Sequence, residues 1–207
     1  MTRAIRRGRL IALEGIDGCG KSTQAVLLAD HLDAQVTFEP GATELGAALR
    51  ELLLNPVLPD VAPRAEALLM AADRAQHTAE VIEPLLSEGI SVVTDRFTAS
   101  TLAYQGYGRE LDVTALRALN QWATAGLSPD VNVLIDVPLD VARARMKPDR
   151  ADRLEGLGEA FQSRVRDGYR HLTEAEPDSW VIVDGTGNPE VVAEAVRVAV
   201  TERLGRV

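Results

Sequence analysis

The sequence predicts an α/β fold with one parallel sheet of about five strands and helices on both faces. Three observations carry that reading. Short, nearly unbroken apolar runs recur along the chain, as in strands covered on both sides. Longer helical patterns separate them, which implies right-handed βαβ units. The first run ends in a glycine-rich loop that opens directly into a helical pattern.

The strand candidates are Arg9–Glu14, Gln35–Glu39, Ile90–Asp95, Val131–Val137 and Trp180–Asp184. A first helix is expected over Lys21–Leu32, immediately after the glycine loop. Pro63 suits the first turn of a long helix reaching toward Leu86, and Gly89 stops it before the third strand. Asp112 or Thr114 begins a helix through Ala125. A short helix follows the fourth strand. Asn188 reads as an N-cap, with Pro189 in the first position of the last helix. The proline-rich "LNPVLPDVAP" is a loop inside one domain that spans residues 1–207, with an eight-residue lead-in. Ligands of such sheets bind beyond the carboxyl ends of the strands. Residues 14–22, 39–43, 95–105 and 136–153 are therefore expected to converge.

Composition limits the partners. There are 22 Lys and Arg against 31 Asp and Glu, a net charge of −9. Such a chain has no overall pull toward nucleic acid or an anionic membrane. A bound anion must meet a local cluster of positive groups. The single cysteine excludes an intramolecular disulfide and fits a reducing cytoplasm. "LIAL" is too short for a signal-peptide core, and no run approaches the ~18 apolar residues of a membrane helix.

Gly15-Ile16-Asp17-Gly18-Cys19-Gly20-Lys21-Ser22 matches G-x-x-x-x-G-K-[ST] between a predicted strand and a predicted helix. The glycines let successive backbone N–H groups point inward, and the helix N-terminus favours phosphate. Lys21 can reach the outer phosphates, and the Ser22 hydroxyl can ligate Mg²⁺. Residues Gly15 to Thr23 are thus the candidate ATP cradle of a P-loop NTPase fold. Cys19 lies inside the loop. It reads either as a small filler or as a thiol activated by the helix N-terminus.

A P-loop alone does not separate motor, GTPase and kinase. No guanine-reading Asn-Lys-x-Asp is present, which weighs against a GTPase. A second element, "TDRFTASTLAYQG", begins where the third strand ends. Arg96 there can hold an acceptor phosphate in bidentate fashion, and Asp95 can orient Mg²⁺ or its waters. The alternative is a strand-end ion pair. A third element, "RARMKPDRADRLE", gathers Arg143, Arg145, Lys147, Arg150 and Arg153 in an otherwise acidic chain. It reads as a basic lid, at about 146–156, closing over transferring phosphates, or as a solvated helix face.

The ordered set resembles the thymidylate kinase family. It comprises the P-loop with Asp17, "FEPGATELG", "LLMAADRAQH", "DRFTASTLAYQG" and "DRADRLE". The resemblance implies phosphoryl transfer from Mg·ATP to dTMP in a homodimeric cytoplasmic enzyme. It implies that Asp17 approaches the sugar 3′-hydroxyl, Arg96 holds the acceptor phosphate and Arg74 reads the thymine carbonyl edge. Ser100, Thr101 and Gln105 would line the pocket with Glu39 and Met70. Tyr104 would crowd the sugar 2′ position and favour deoxyribose. Lys21, Arg96, Arg150 and Arg153 would be catalytic, with Ser22 and Asp95 on the metal.

Each residue also has a structural alternative. Arg74 could pair with Asp73 or Glu66, Tyr104 could be core, and Gln105 could cap the turn at Gly106. Two positions depart from the family pattern. Phe38 replaces the usual arginine, and Met70 replaces an aromatic. Another nucleoside or nucleoside monophosphate kinase, or a non-catalytic nucleotide-binding regulator, remains as an alternative.

Overall fold

The structure is a computed structural model that describes residues 6–57, 60–146 and 153–205. Its sheet has five strands: β1 (Leu10–Glu14), β2 (Gln35–Phe38), β3 (Val92–Asp95), β4 (Val131–Asp136) and β5 (Trp180–Asp184). Every pairing is parallel, in the order β2-β3-β1-β4-β5. Each strand lies within the predicted run. The inner strands β1, β3 and β4 are buried along nearly their whole length, as in a sheet covered on both faces, while the edge strands β2 and β5 are partly exposed.

Strand alternation divides the core. Ile11 and Leu13 face a large cluster with Ala25, Leu28, Phe161, Val165, Val192 and Val196. Leu10 and Ala12 face a smaller one with Ile82, Leu86, Phe97 and Leu127. Helices α1 (Lys21–Leu32), α8 (Glu159–Ala175) and α9 (Pro189–Leu204) supply the first layer. Helix α4 (Glu83–Ser87) supplies the second.

The long helix expected from Pro63 is present as α3 (Pro63–His77), a π turn at Thr78–Ile82, and α4. Pro84 lacks an N–H and crowds the preceding turn, so the helix widens ahead of it. Gly89 closes the segment at φ 83°. Helix α6 (Val113–Ala123) starts with Asp112 accepting from the Thr114 N–H at 2.8 Å. It ends two residues short of the expected Ala125, which itself adopts a left-handed φ of 51°. Helix α7 (Leu139–Arg145) is the short one after β4.

Helices α2 (Glu44–Leu54) and α8 were not anticipated, nor was the helical turn α5 (Thr98–Thr101) with its π extension Leu102–Gly108. Among the described residues, no helix is long and apolar enough to cross a membrane.

At α9, Asn188 Oδ1 accepts from the Val191 N–H at 3.0 Å, with Pro189 in the first turn. Asn188→Ala is expected to lower unfolding free energy by about 1 kcal/mol in a urea titration.

Candidate active site

β1 carries the chain to the sheet's carboxyl edge, where Gly15 and Gly18 make the loop possible. Both have positive φ, and a Cβ at Gly18 would lie 2.3 Å from the Ala142 carbonyl oxygen. Gly20 caps α1 without any side-chain hydrogen bond. The first amides of a twelve-residue helix are therefore left to a ligand. Lys21 is buried, and its Nζ lies 3.3 Å from both the Ile16 carbonyl and Asp17 Oδ1. Cys19 is buried as well, and burial pushes its thiol pKa up. That fits the small filler and opposes the activated thiol.

Arg96 follows β3 with φ at 74°, a left-handed conformation rare for a non-glycine residue. Its amide donates to the Leu13 carbonyl at 2.9 Å, and the Thr94 hydroxyl donates to its carbonyl at 2.8 Å. Five groups hold the guanidinium. Nη1 meets the Gly15 carbonyl at 3.1 Å, Ser100 Oγ at 3.0 Å and the Tyr169 hydroxyl at 3.2 Å. Nη2 donates to Asp17 Oδ1 and to the Tyr104 hydroxyl at 2.9 Å.

Asp17 is thus shared by the loop lysine, the β3 arginine and Tyr104, whose hydroxyl donates to Oδ2 at 2.7 Å. Burial alone would raise its pKa, but Arg96, then Lys21 and the Tyr104 hydroxyl hold it well below the usual carboxylate range.

Beneath Arg96 lies Glu14, fully buried at the end of β1. It accepts from the Phe97 N–H at 2.9 Å, the Ser100 hydroxyl at 2.6 Å and the Tyr169 hydroxyl at 2.9 Å. Burial raises its pKa against those hydrogen bonds. Glu14 and Tyr169 were missed by sequence reasoning. A carboxylate closing an apolar strand just before a phosphate loop was a visible signal. Nothing marked Tyr169, which arrives from α8.

One cavity of about 810 Å³ is lined by Asp17, Lys21 and Ser22 together with Arg96, Ser100, Thr101, Tyr104 and Gln105. Glu39, Met70, Arg74 and Asp95 also face it. Ser22 Oγ donates to Asp95 Oδ2, while Asp95 Oδ1 is buried without a hydrogen-bond partner among the described residues.

Arg74 pairs with neither Asp73 nor Glu66. Its Nη1 donates to Thr101 Oγ1 at 2.8 Å and Asn120 Oδ1 at 2.9 Å. Nη2 donates to the Phe97 carbonyl at 3.0 Å and lies 2.8 Å from Glu39 Oε2. Three of its five N–H donors are thus hydrogen-bonded, and the approach to Glu39 Oε2 is an ion pair without hydrogen-bond geometry. Among the described residues, Nε is buried without a partner. Gln105 is buried and donates through Nε2 to Glu66 Oε1 at 2.9 Å, so it does not merely cap the turn.

Phe38, which stands in place of an arginine, lies beneath Arg50 from α2, whose guanidinium carbon is 6.0 Å from the ring centroid. Arg50 donates to the Pro40 carbonyl at 2.7 Å and lines the cavity. A positive group thus returns to that corner, unforeseen from the sequence.

The lid residues are placed differently. Lys147 and Arg150 lie outside the described residues. Arg143 pairs with Glu159 at the surface, and Arg145 donates to the Cys19 carbonyl at 3.3 Å. Arg153 is not on the cavity wall. Its Nη2 lies 3.5 Å from Glu66 Oε2, a fully buried carboxylate that Arg109 also binds at 2.8 Å. The buried anion holds Arg153 away from the cavity.

A P-loop strand, a parallel sheet and a buried arginine seated against that loop at the same cavity define a phosphoryl-transfer enzyme of the nucleoside monophosphate kinase class. The family model for thymidylate kinase matches residues 13–196. The chain is 45% identical over 203 residues to thymidylate kinase of Bifidobacterium longum (strain NCC 2705), covering 94% of this chain and 98% of that one. It is 47% identical over 206 residues to thymidylate kinase of Synechococcus sp. (strain WH7803), covering 93% and 95%. The crystal structure of thymidylate kinase from Ehrlichia chaffeensis superposes with a TM-score of 0.78 at 29% identity, covering 94% of this chain and 99% of that one. The chain belongs to the thymidylate kinase family.

Asp73 on the cavity wall offers a pH test. Burial, then the charge of Glu39, pushes its pKa up to about 6 from 3.8, against the Gly41 N–H that donates to it at 2.9 Å. A raised carboxylate pKa favours the folded state below the unfolded value, and that contribution fades as pH rises to the folded value. Asp73→Asn keeps an acceptor for Gly41. Its melting temperature relative to wild type is expected to climb between about pH 4 and pH 6 and then to level off.

Proposed function

We propose that this chain transfers the γ-phosphoryl group of Mg·ATP to dTMP, giving dTDP and ADP. The observation that carries the reading is the cavity in which Lys21 and Arg96 both reach the same carboxylate, Asp17.

An oxygen of the dTMP phosphate attacks the γ-phosphorus, and the bond to the β-bridging oxygen breaks as ADP leaves. Such transfer needs alignment, charge neutralisation and water exclusion more than covalent help. The amides of residues 15–23 and Lys21 receive the donor phosphates. Arg96, with Arg50 beside Phe38, receives the acceptor phosphate. Asp17 accepts from the sugar 3′-hydroxyl, and Tyr104, held by Asp17 and Arg96, leaves no room for a 2′-hydroxyl.

Arg74 offers its Nε–H to a thymine carbonyl, and Met70 packs on the base with Ser100, Thr101 and Gln105 around it. Arg150 and Arg153 enter by resemblance, and Arg153 must leave Glu66 to reach the phosphates.

Ser22 and the unpartnered Asp95 Oδ1 fit a Mg²⁺ ion held mainly by phosphates and water. When bound, that ion neutralises phosphate charge. Leu45, Leu52, Leu68 and Trp122 are exposed on the neighbouring helices α2, α3 and α6, which supports a homodimer. One cysteine supports a cytoplasmic setting.

The test is an acceptor panel with Mg·ATP. dTMP is expected to exceed dUMP in kcat/KM by about tenfold or more, since one methyl group discriminates by roughly that much. Thymidine, which offers Arg96 no phosphate, is expected to release no ADP. Preference for dCMP would move the assignment to another monophosphate kinase. ADP release without any acceptor would overturn the reading.

A further inference from the structure

The segment "LLMAADRAQH" ends in His77, a residue to which neither the motif nor the acceptor chemistry assigns work. His77 is fully buried as the last residue of α3. Its Nδ1 lies 2.9 Å from Glu39 Oε1, and its Nε2 lies 2.7 Å from Thr37 Oγ1. The other oxygen of the same carboxylate, Glu39 Oε2, lies 2.8 Å from Arg74 Nη2. Glu39 is therefore a fork with one tine on His77 and the other on Arg74.

Helical spacing makes this possible, because residues 73, 74 and 77 fall on one face of α3. Asp73 takes the Gly41 N–H while Arg74 and His77 take Glu39. Three side chains of one helix thus grip residues 37–41, where the chain leaves β2 for the cavity.

We propose that His77 is a positioning residue for the acceptor base, fixing Glu39 and through it the guanidinium of Arg74. The inference rests on the acceptor reading above. A carboxylate oxygen of Glu39 accepts only from a protonated Nδ1, so the ring carries a hydrogen there, while its Nε2 is held at the Thr37 hydroxyl. If His77 lets go, Glu39 can swing. Arg74 then keeps Thr101, Asn120 and Phe97 but loses the contact that sets its tilt, and with it the direction of Nε. A tilt of that kind weakens recognition of the base and leaves the donor nucleotide untouched.

Two substitutions separate this role from packing. The amide nitrogen of Asn reaches about where Nδ1 sits, and that of Gln reaches about where Nε2 sits, while Gln is nearer to His in volume. His77→Asn is expected to keep KM for dTMP within about threefold of wild type, and His77→Gln to raise it about tenfold, the scale of a lost charge-assisted hydrogen bond. KM for ATP is expected to stay constant in both. Equal KM values for dTMP in the two variants, or a milder effect of Gln, would overturn the proposal in favour of packing.

Wild-type turnover of dTMP is measured in the same assay. Its absence would overturn the acceptor reading and this inference together. ¹⁵N NMR of wild type needs no variant to fold: it is expected to show a proton on Nδ1 of His77, and an unprotonated Nδ1 would overturn the proposal.

Discussion

The site is organised around a buried arginine held in a backbone conformation that arginine disfavours. A positive φ at Arg96 costs on the order of 1–3 kcal/mol, and the surroundings must outweigh it. Bonds to its own amide and carbonyl tie the strand end down, and five groups from three separate stretches of chain meet the guanidinium. Charge supports the same arrangement. Asp17 stays ionised beside Arg96, and Glu14 lies below, joined to it through the Ser100 and Tyr169 hydroxyls. Because those partners come from the phosphate loop, α5 and α8, moving the arginine would disturb the donor and acceptor walls together.

Sheet order gives that arginine its place. β3 lies between β2 and β1, so its carboxyl end has the Glu39 segment on one side and the phosphate loop on the other. The parallel register aligns Phe38 and Leu13 with Asp95 on its two flanks. The Glu39 segment and the phosphate loop therefore meet at one sheet edge. Behind the Glu39 segment, α3 ties several elements together. Glu66 gathers Gln105 and Arg109, and Asp73, Arg74 and His77 fasten the chain after β2.

How much was legible in the sequence depended on whether a feature is local. β1 is buried at all five positions, so its apolar run stood out, and the Asn188-Pro189 start of α9 is written in adjacent letters. The phosphate loop was legible because its chemistry belongs to the backbone and needs glycines in series. Helix α8 was overlooked because its apolar residues, Phe161, Val165, Tyr169 and Leu172, are sparse among charges, although their spacing is helical. Networks were least legible. The approach of Tyr169 to Glu14 spans 155 residues, and that of Arg50 to Phe38 depends on an unpredicted helix. For Arg74 the resemblance supplied an expected role, but only the geometry shows that, among the described residues, its Nε has no partner.

If both anion cradles open into one crevice with Asp17 between them, a single molecule should fill both. The direct measurement is calorimetry with thymidine and adenosine joined at their 5′ ends through a chain of phosphates, compared with dTMP and ATP separately. One such molecule per chain is expected to bind at least about a hundredfold more tightly than either nucleotide, because the second contact becomes intramolecular. It should also displace both. A joined molecule that binds no better than ATP, or that leaves dTMP in place, would contradict the shared crevice and the phosphoryl transfer built on it.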